Sequence, residues 1–244
     1  MSNQTSPATN DISNATSDAS IARQAIVDEK GQVFGYELFD RSRRFSDHNA
    51  ASDAQLLFNV LTHADTGALM DKRTMFVNLA LQSLNSEHLE LVKPDRMVLE
   101  VPHVHDHNSA TIDGKLAELT ELHQRGFRLA FNQAALTVPY RQWLPLASFI
   151  KLDLTVLKRE QVEPAIRLAQ KKQQLQIIVE KVETAEQHKM VADLGVKLFQ
   201  GYWFAKPVLV TGQTIRPSQA VIIQLINLVR KQATTAGIEE ILKR

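Results

Sequence analysis

Three glutamates, three carboxamides, a lysine and an aspartate carry the chemistry available to this chain. Glu37, Asn78, Glu100, Asn132, Lys151, Asp153, Glu180 and Gln200 each stand late in, or just after, a short apolar run. Carboxylate and carboxamide oxygens are ligands for hard dications such as Mg²⁺ and Mn²⁺. Arg41, four residues beyond Glu37, shares its face on an extended strand. A carboxylate and a guanidinium so placed serve either as a metal-and-phosphate pair or as a surface ion pair. One polar residue at a strand end is usually a satisfied structural group; eight on successive runs point to a shared site.

The elements that must position these residues alternate between strand and helix periods. An apolar stretch from Ile21 crosses a Lys30-Gly31 turn and ends on Gly35-Tyr36-Glu37-Leu38-Phe39-Asp40-Arg41, the pattern of a β-hairpin. Further on, the spacing predicts strands over 74–79, 96–101, 127–131, 149–154, 176–182 and 197–204. Helices are predicted over 53–63, 84–92, 114–124, 160–172, 184–194 and 219–231. Strands alternating with helices indicate crossover units and a parallel sheet. About seven repeats over roughly 200 residues favour a barrel, in which strand ends converge on one mouth. No GxGxxG or Walker loop occurs, which counts against a dinucleotide or nucleoside-triphosphate fold.

Composition narrows the function. The 244 residues are 44% hydrophobic and carry a formal net charge of +1, giving no electrostatic case for a nucleic-acid polymer or an anionic membrane. There are no cysteines, hence no thiol nucleophile, disulfide or Cys-ligated zinc, and a cytoplasmic protein is the expectation. Residues 1–20 read as a disordered lead-in, 21–210 as the barrel domain and 211–244 as a helical extension. No apolar run is long enough to span a membrane.

Glu37-Leu38-Phe39 with Arg41, Phe76-Val77-Asn78-Leu79, Val98-Leu99-Glu100-Val101, Ile150-Lys151-Leu152-Asp153, Val179-Glu180-Lys181-Val182-Glu183-Thr184 and Phe199-Gln200-Gly201-Tyr202 follow one another in a recognisable order. Together they resemble an EAL domain, the α/β, (β/α)8 TIM-like barrel that hydrolyses cyclic di-GMP, here with an N-terminal β-hairpin. Ala22-Arg23-Gln24-Ala25-Ile26 and the Glu180 to Thr184 stretch are similar to the branch in which a degenerate EAL domain precedes an HDOD domain. That second module would begin near Ile215, and the residues up to Leu242 would hold at most two of its helices.

The resemblance implies metal ligation by Glu37, Asn78 and Glu100, and a nucleophilic water at Lys151. It implies metal-site support from Glu180, Asp153 and Gln200, and a loop-ordering role for Glu183. Leu38, Phe39, Arg41, Asn132, Gln133, Asp153 and Glu183 are the expected ligand contacts. The departure lies at Phe131-Asn132-Gln133-Ala134-Ala135, where active members carry Asp-Asp-Phe-Gly. Two neutral amides replace the two acids that hold the metal pair, and His103 replaces a further glutamate. Lys151, Glu180 and Gln200 are therefore expected to be catalytic positions without turnover, and Glu37, Asn78 and Glu100 a vestigial metal site.

The expectation is an inactive EAL-like signalling or adaptor domain, with no cofactor, that binds another protein or itself through its mouth or C-terminal helices. Cyclic di-GMP is the candidate ligand. The alternative is a weak or specialised phosphodiesterase using Mg²⁺ or Mn²⁺. His103, His105 and His107 suggest either a Zn²⁺ or Ni²⁺ site or a solvated loop, the latter being the commoner outcome. Arg43 and Arg44 read as a solvated face, and the stripe over 219–231 as packing or an interface.

Overall fold

The computed structural model describes residues 21–40, 53, 57, 73–105 and 108–210. β1 (Ile21–Asp28) and β2 (Val33–Asp40) form the expected hairpin. Gly31 turns it with φ +72°, and Asp28 Oδ1 accepts from the backbone of Lys30 and Gln32 at 2.9 and 2.8 Å. β3 (Thr74–Asn78), β4 (Met97–Val101), β5 (Arg128–Asn132), β6 (Ala147–Asp153), β7 (Gln176–Glu180) and β8 (Leu198–Phe199) follow in parallel from β2. β1 pairs antiparallel with both β2 and β8 and closes the wall as an eight-stranded barrel. The sheet is thus parallel except at the strand that seals it.

Helices cover the outside. α1 (Ser109–Gly114) and α2 (Leu116–Gln124) follow β4, α3 (Arg159–Gln170) follows β6 and α4 (Ala185–Asp193) follows β7. Thr184 caps α4 through a reciprocal bond pair with Gln187, and Gly195 follows it at φ +85°.

Several expectations change. Residues 84–92 form a 3-10 segment at Glu87–Leu91 rather than an α-helix, because Pro94 and Ser86 leave room for only one tight turn. The strand expected over 197–204 ends at Phe199, where the loop after it folds onto Val182. α1 and β9 (Val208–Val210), which pairs with the start of β1, are additional to the expected elements. Of the helix expected over 53–63, Asp53 and Leu57 are helical and buried. Its remainder, the segment 219–231, and Arg41, Arg43, Arg44 and His107 lie outside the described residues.

The barrel interior is filled in two layers. Ile26, Phe76, Val98, Ala130, Phe149, Ile178 and Leu198 form an apolar plug, with Phe34 packed against it. Phe76 and Phe149 meet edge to face at 5.1 Å. Each buried ring of this kind contributes about 1.5–3 kcal/mol. One residue further along each strand face, the side chains turn polar. The bottom is apolar and the mouth polar.

Candidate functional site

The upper layer follows from strand register. Asn78 pairs with Glu100 across β3 and β4, Asn132 with Lys151 across β5 and β6, and Asp153 with Glu180 across β6 and β7. Glu37 pairs with Gln24 across the hairpin. Since interior positions recur every second residue, Glu37, Asn78, Glu100, Asn132, Lys151 and Glu180 enter the barrel at about one level, and Asp153 stands one step beyond Lys151. Gly35, two residues before Glu37, is required by the approach of β3: a Cβ there would lie 2.4 Å from the Thr74 carbonyl oxygen.

Lys151 is the centre of the layer. Its Nζ lies 3.2 Å from Glu37 Oε2, 2.6 Å from Glu100 Oε2 and 2.5 Å from Glu180 Oε1. Gln200 Nε2 donates to Glu37 Oε2 at 2.6 Å and to Gln24 Oε1 at 3.3 Å, and Asn78 Nδ2 donates to Glu37 Oε1 at 2.8 Å. Gln24 in turn donates to the Ala205 carbonyl at 3.2 Å. Gln24 was absent from the candidate set. Its signal is a polar residue between Ala22 and Ile26 on the inward face of β1.

Burial and charge set the protonation of this cluster. Burial would raise Glu37, but the Lys151 ammonium, with Gln200 and Asn78 donating, holds its carboxyl below the usual carboxylate range. Glu100 goes the other way: burial and the neighbouring Glu37 carboxylate push it up to about 8, against Lys151. Burial also raises Glu180, with Lys151 opposing. Burial would discharge Lys151, yet Glu100, Glu180 and Glu37 hold its ammonium well above its ordinary range.

The other expected residues are placed elsewhere or used differently. Asn132 Nδ2 meets His103 Nδ1 at 2.8 Å, while its Oδ1 accepts from Ala134 N at 3.1 Å and caps the turn after β5. Gln133 Oε1 accepts from Asp153 N at 3.4 Å, and Asp153 Oδ1 accepts from Thr155 N and Oγ1 at 2.7 and 2.6 Å. Glu183 is exposed, and its backbone N–H joins the capping of α4 through Gln187. Leu38 has no exposed surface and packs in the outer core, since it alternates with inward-facing Glu37; it offers a ligand no wall. Phe39 is half-buried at the end of the Glu37 face.

Backbone supports hold the mouth. Asp53 Oδ2 accepts from Ala80 N and Ser83 Oγ, both at 2.6 Å, fixing the segment that leaves Asn78. Val182 N donates to the Gln200 carbonyl at 3.1 Å and Trp203 N to the Val182 carbonyl at 3.0 Å, joining the loops after β7 and β8. Lys181, immediately after Glu180, takes φ +58°. A left-handed non-glycine residue costs roughly 1–2 kcal/mol, strain that the surrounding loop contacts maintain. His103 and His105 rings are 5.5 Å apart, and among the described residues no group of three metal-capable side chains includes a histidine.

Glu37, Glu100 and Glu180 offer oxygens within 4.8 Å of one another. Glu100 Oε1 and Gln200 Oε1 are buried without a hydrogen-bond partner. Such a donor set, all hard oxygen with unused capacity, fits one divalent cation. It does not fit a pair, because the side-chain oxygens of Asn132 and Gln133 are neutral and already accept backbone N–H groups.

Comparison with known proteins gives these features a setting. The EAL domain model matches residues 53–207. Cyclic di-GMP phosphodiesterase CdgJ of Vibrio cholerae is 26% identical over 214 residues, covering 84% of this chain and 48% of CdgJ. The chain spans about half the length of the curated relatives it matches. The PaMucR phosphodiesterase in complex with c-di-GMP superposes with TM-score 0.62 at 18% identity, covering 77% of this chain and 96% of that one. Klebsiella pneumoniae BlrP1 in its manganese and cyclic di-GMP complex gives 0.61 at 20% identity, covering 80% and 57%. No helix among the described residues is long and apolar enough to cross a membrane.

Proposed function

This chain belongs to the EAL domain family, and from that premise we propose that its barrel is a binding module that does not hydrolyse cyclic di-GMP. The reading is carried by Asn132 and Gln133. Cleaving a phosphodiester at neutral pH calls for charge stabilisation at both the attacking and the leaving oxygen, which a pair of dications about 3.5–4 Å apart supplies. Two carboxamides cannot provide the negative charge that brings two such ions together. Both also have structural tasks here, one capping a turn and the other receiving Asp153 N.

The module works in the cytoplasm as a signalling adaptor, by association with another protein or with itself. Cyclic di-GMP is the small ligand to test first. Arg41, by its position after β2, is the residue suited to bidentate phosphate contact. The decisive experiment is turnover: cyclic di-GMP incubated with the chain and Mg²⁺ or Mn²⁺ should yield no linear product. Hydrolysis at the rate of an active EAL phosphodiesterase would refute the reading. Calorimetric titration of the same ligand separates a ligand-gated module from a scaffold.

One observation favours a second reading. The Glu37, Glu100 and Glu180 cluster with the unpartnered Glu100 Oε1 suits one dication. A weak phosphodiesterase built on that site, with Lys151 and Asn78, would show slow metal-dependent turnover abolished by Glu37→Gln.

A further inference from the structure

The carboxylate cluster already holds a cation. Lys151 Nζ contacts one oxygen from each of Glu37, Glu100 and Glu180, at 3.2, 2.6 and 2.5 Å. An ammonium has three protons to donate, and these three contacts use them all. A divalent ion taking those same three oxygens would need the space in their midst, where the ammonium stands.

Glu37 is the most heavily engaged of the three carboxylates. Its Oε1 accepts from Asn78, and its Oε2 accepts from both Lys151 and Gln200. Oε2 is thereby filled by two donors, and Glu37 can offer that oxygen to an ion only if one of them withdraws. Glu100 Oε1 and Gln200 Oε1 are different: both residues are more than nine-tenths buried, at 7% and 3% exposure, and neither oxygen has a partner. The pocket therefore has ligand capacity that the ammonium does not use. It lacks a second anionic wall beside β5, where Asn132 and Gln133 are neutral, to accommodate ammonium and dication side by side.

We propose that the Lys151 ammonium and a single divalent cation compete for the Glu37, Glu100 and Glu180 carboxylates, so that Lys151 is a built-in plug on a latent one-ion site. The proposal rests on the one-ion reading of the mouth given above, but concerns binding alone. Withdrawal of the lysine opens the site; its presence keeps dications weakly bound.

The test is Mn²⁺ binding to the full chain stripped with chelator, followed by calorimetry and by thermal unfolding. Lys151→Met and Lys151→Gln, which keep the volume without the charge, should each bind one Mn²⁺ per chain at least tenfold more tightly than wild type. Their melting temperatures should rise with Mn²⁺ by more than that of wild type. One ion bound equally or more tightly by wild type overturns the proposal and leaves the non-hydrolytic reading standing. Failure of both variants to fold even in excess Mn²⁺ also overturns it, since an ion able to replace the ammonium would restore the cluster. Two Mn²⁺ ions on the wild-type chain would overturn both.

Discussion

Asn132 Nδ2 and His103 Nδ1 lie 2.8 Å apart at the barrel mouth. An amide and an imidazole thus pair at the two positions where resemblance to active EAL domains places acids. The pair is neutral when the imidazole nitrogen accepts from the amide, and it ties the loop after β4 to the end of β5. Tyr140 reinforces the link by accepting from Val104 N at 2.9 Å. What remains of the acidic mouth is the half around β2, β4 and β7.

Restoring acids at β5 should restore function if the rest of the mouth is intact. Asn132→Asp combined with Gln133→Asp should raise Mn²⁺-dependent cyclic di-GMP hydrolysis at least about tenfold over wild type. Chromatography of the linear product checks this. A double variant that folds, binds Mn²⁺ and remains inactive would place the defect elsewhere.

Lys151→Ala in the presence of chelator should destabilise the chain by about 3–5 kcal/mol, because it strands the buried Glu37 carboxylate, with Glu100 and Glu180 beside it, without a counter-charge. Urea unfolding measures it. A loss below about 1 kcal/mol would mean that the ammonium is not the electrostatic centre of the layer.

Stability should fall as pH rises from 5 to 9. The Glu100 carboxyl, raised from 4.5 to about 8 by burial and Glu37, favours folding fully only below its unfolded value. That contribution is lost as the pH climbs through the folded value, and Glu180, also raised, acts in the same direction. The total loss should be roughly 2–5 kcal/mol. Glu37 has the opposite sign, supporting the fold above its unfolded value and withdrawing support only at lower pH. Thermal midpoints across this range, measured in chelator, should flatten in Glu100→Gln.

Gly201→Ala should cost at least about 2 kcal/mol, because the added Cβ would lie 2.0 Å from the Val182 carbonyl oxygen. The damage should reach the site, since the same loop carries Gln200. A variant as stable as wild type in urea would show that the loops after β7 and β8 can separate freely.

Much of the molecule was legible in the chain itself. Short apolar runs at β3, β4, β5, β6 and β7, separated by helical periods, specify strands and crossovers because each period buries only one kind of face. The polar residue at the end of each run marks the mouth, and the Asn132-Gln133 departure is a matter of residue identity alone. Tertiary structure decided the rest. That β1 seals the barrel antiparallel depends on β8 returning to it, and Leu198 and Asp28 are paired across most of the chain. Leu38 and Glu37 are neighbours in sequence, yet one enters the outer core and the other the mouth, because strand pairing sets which face is inward. Lys151 became the centre through contacts with Glu37 and Glu100, 114 and 51 residues away. No local period encodes such contacts; they exist only once barrel closure brings separate strand ends into one buried layer.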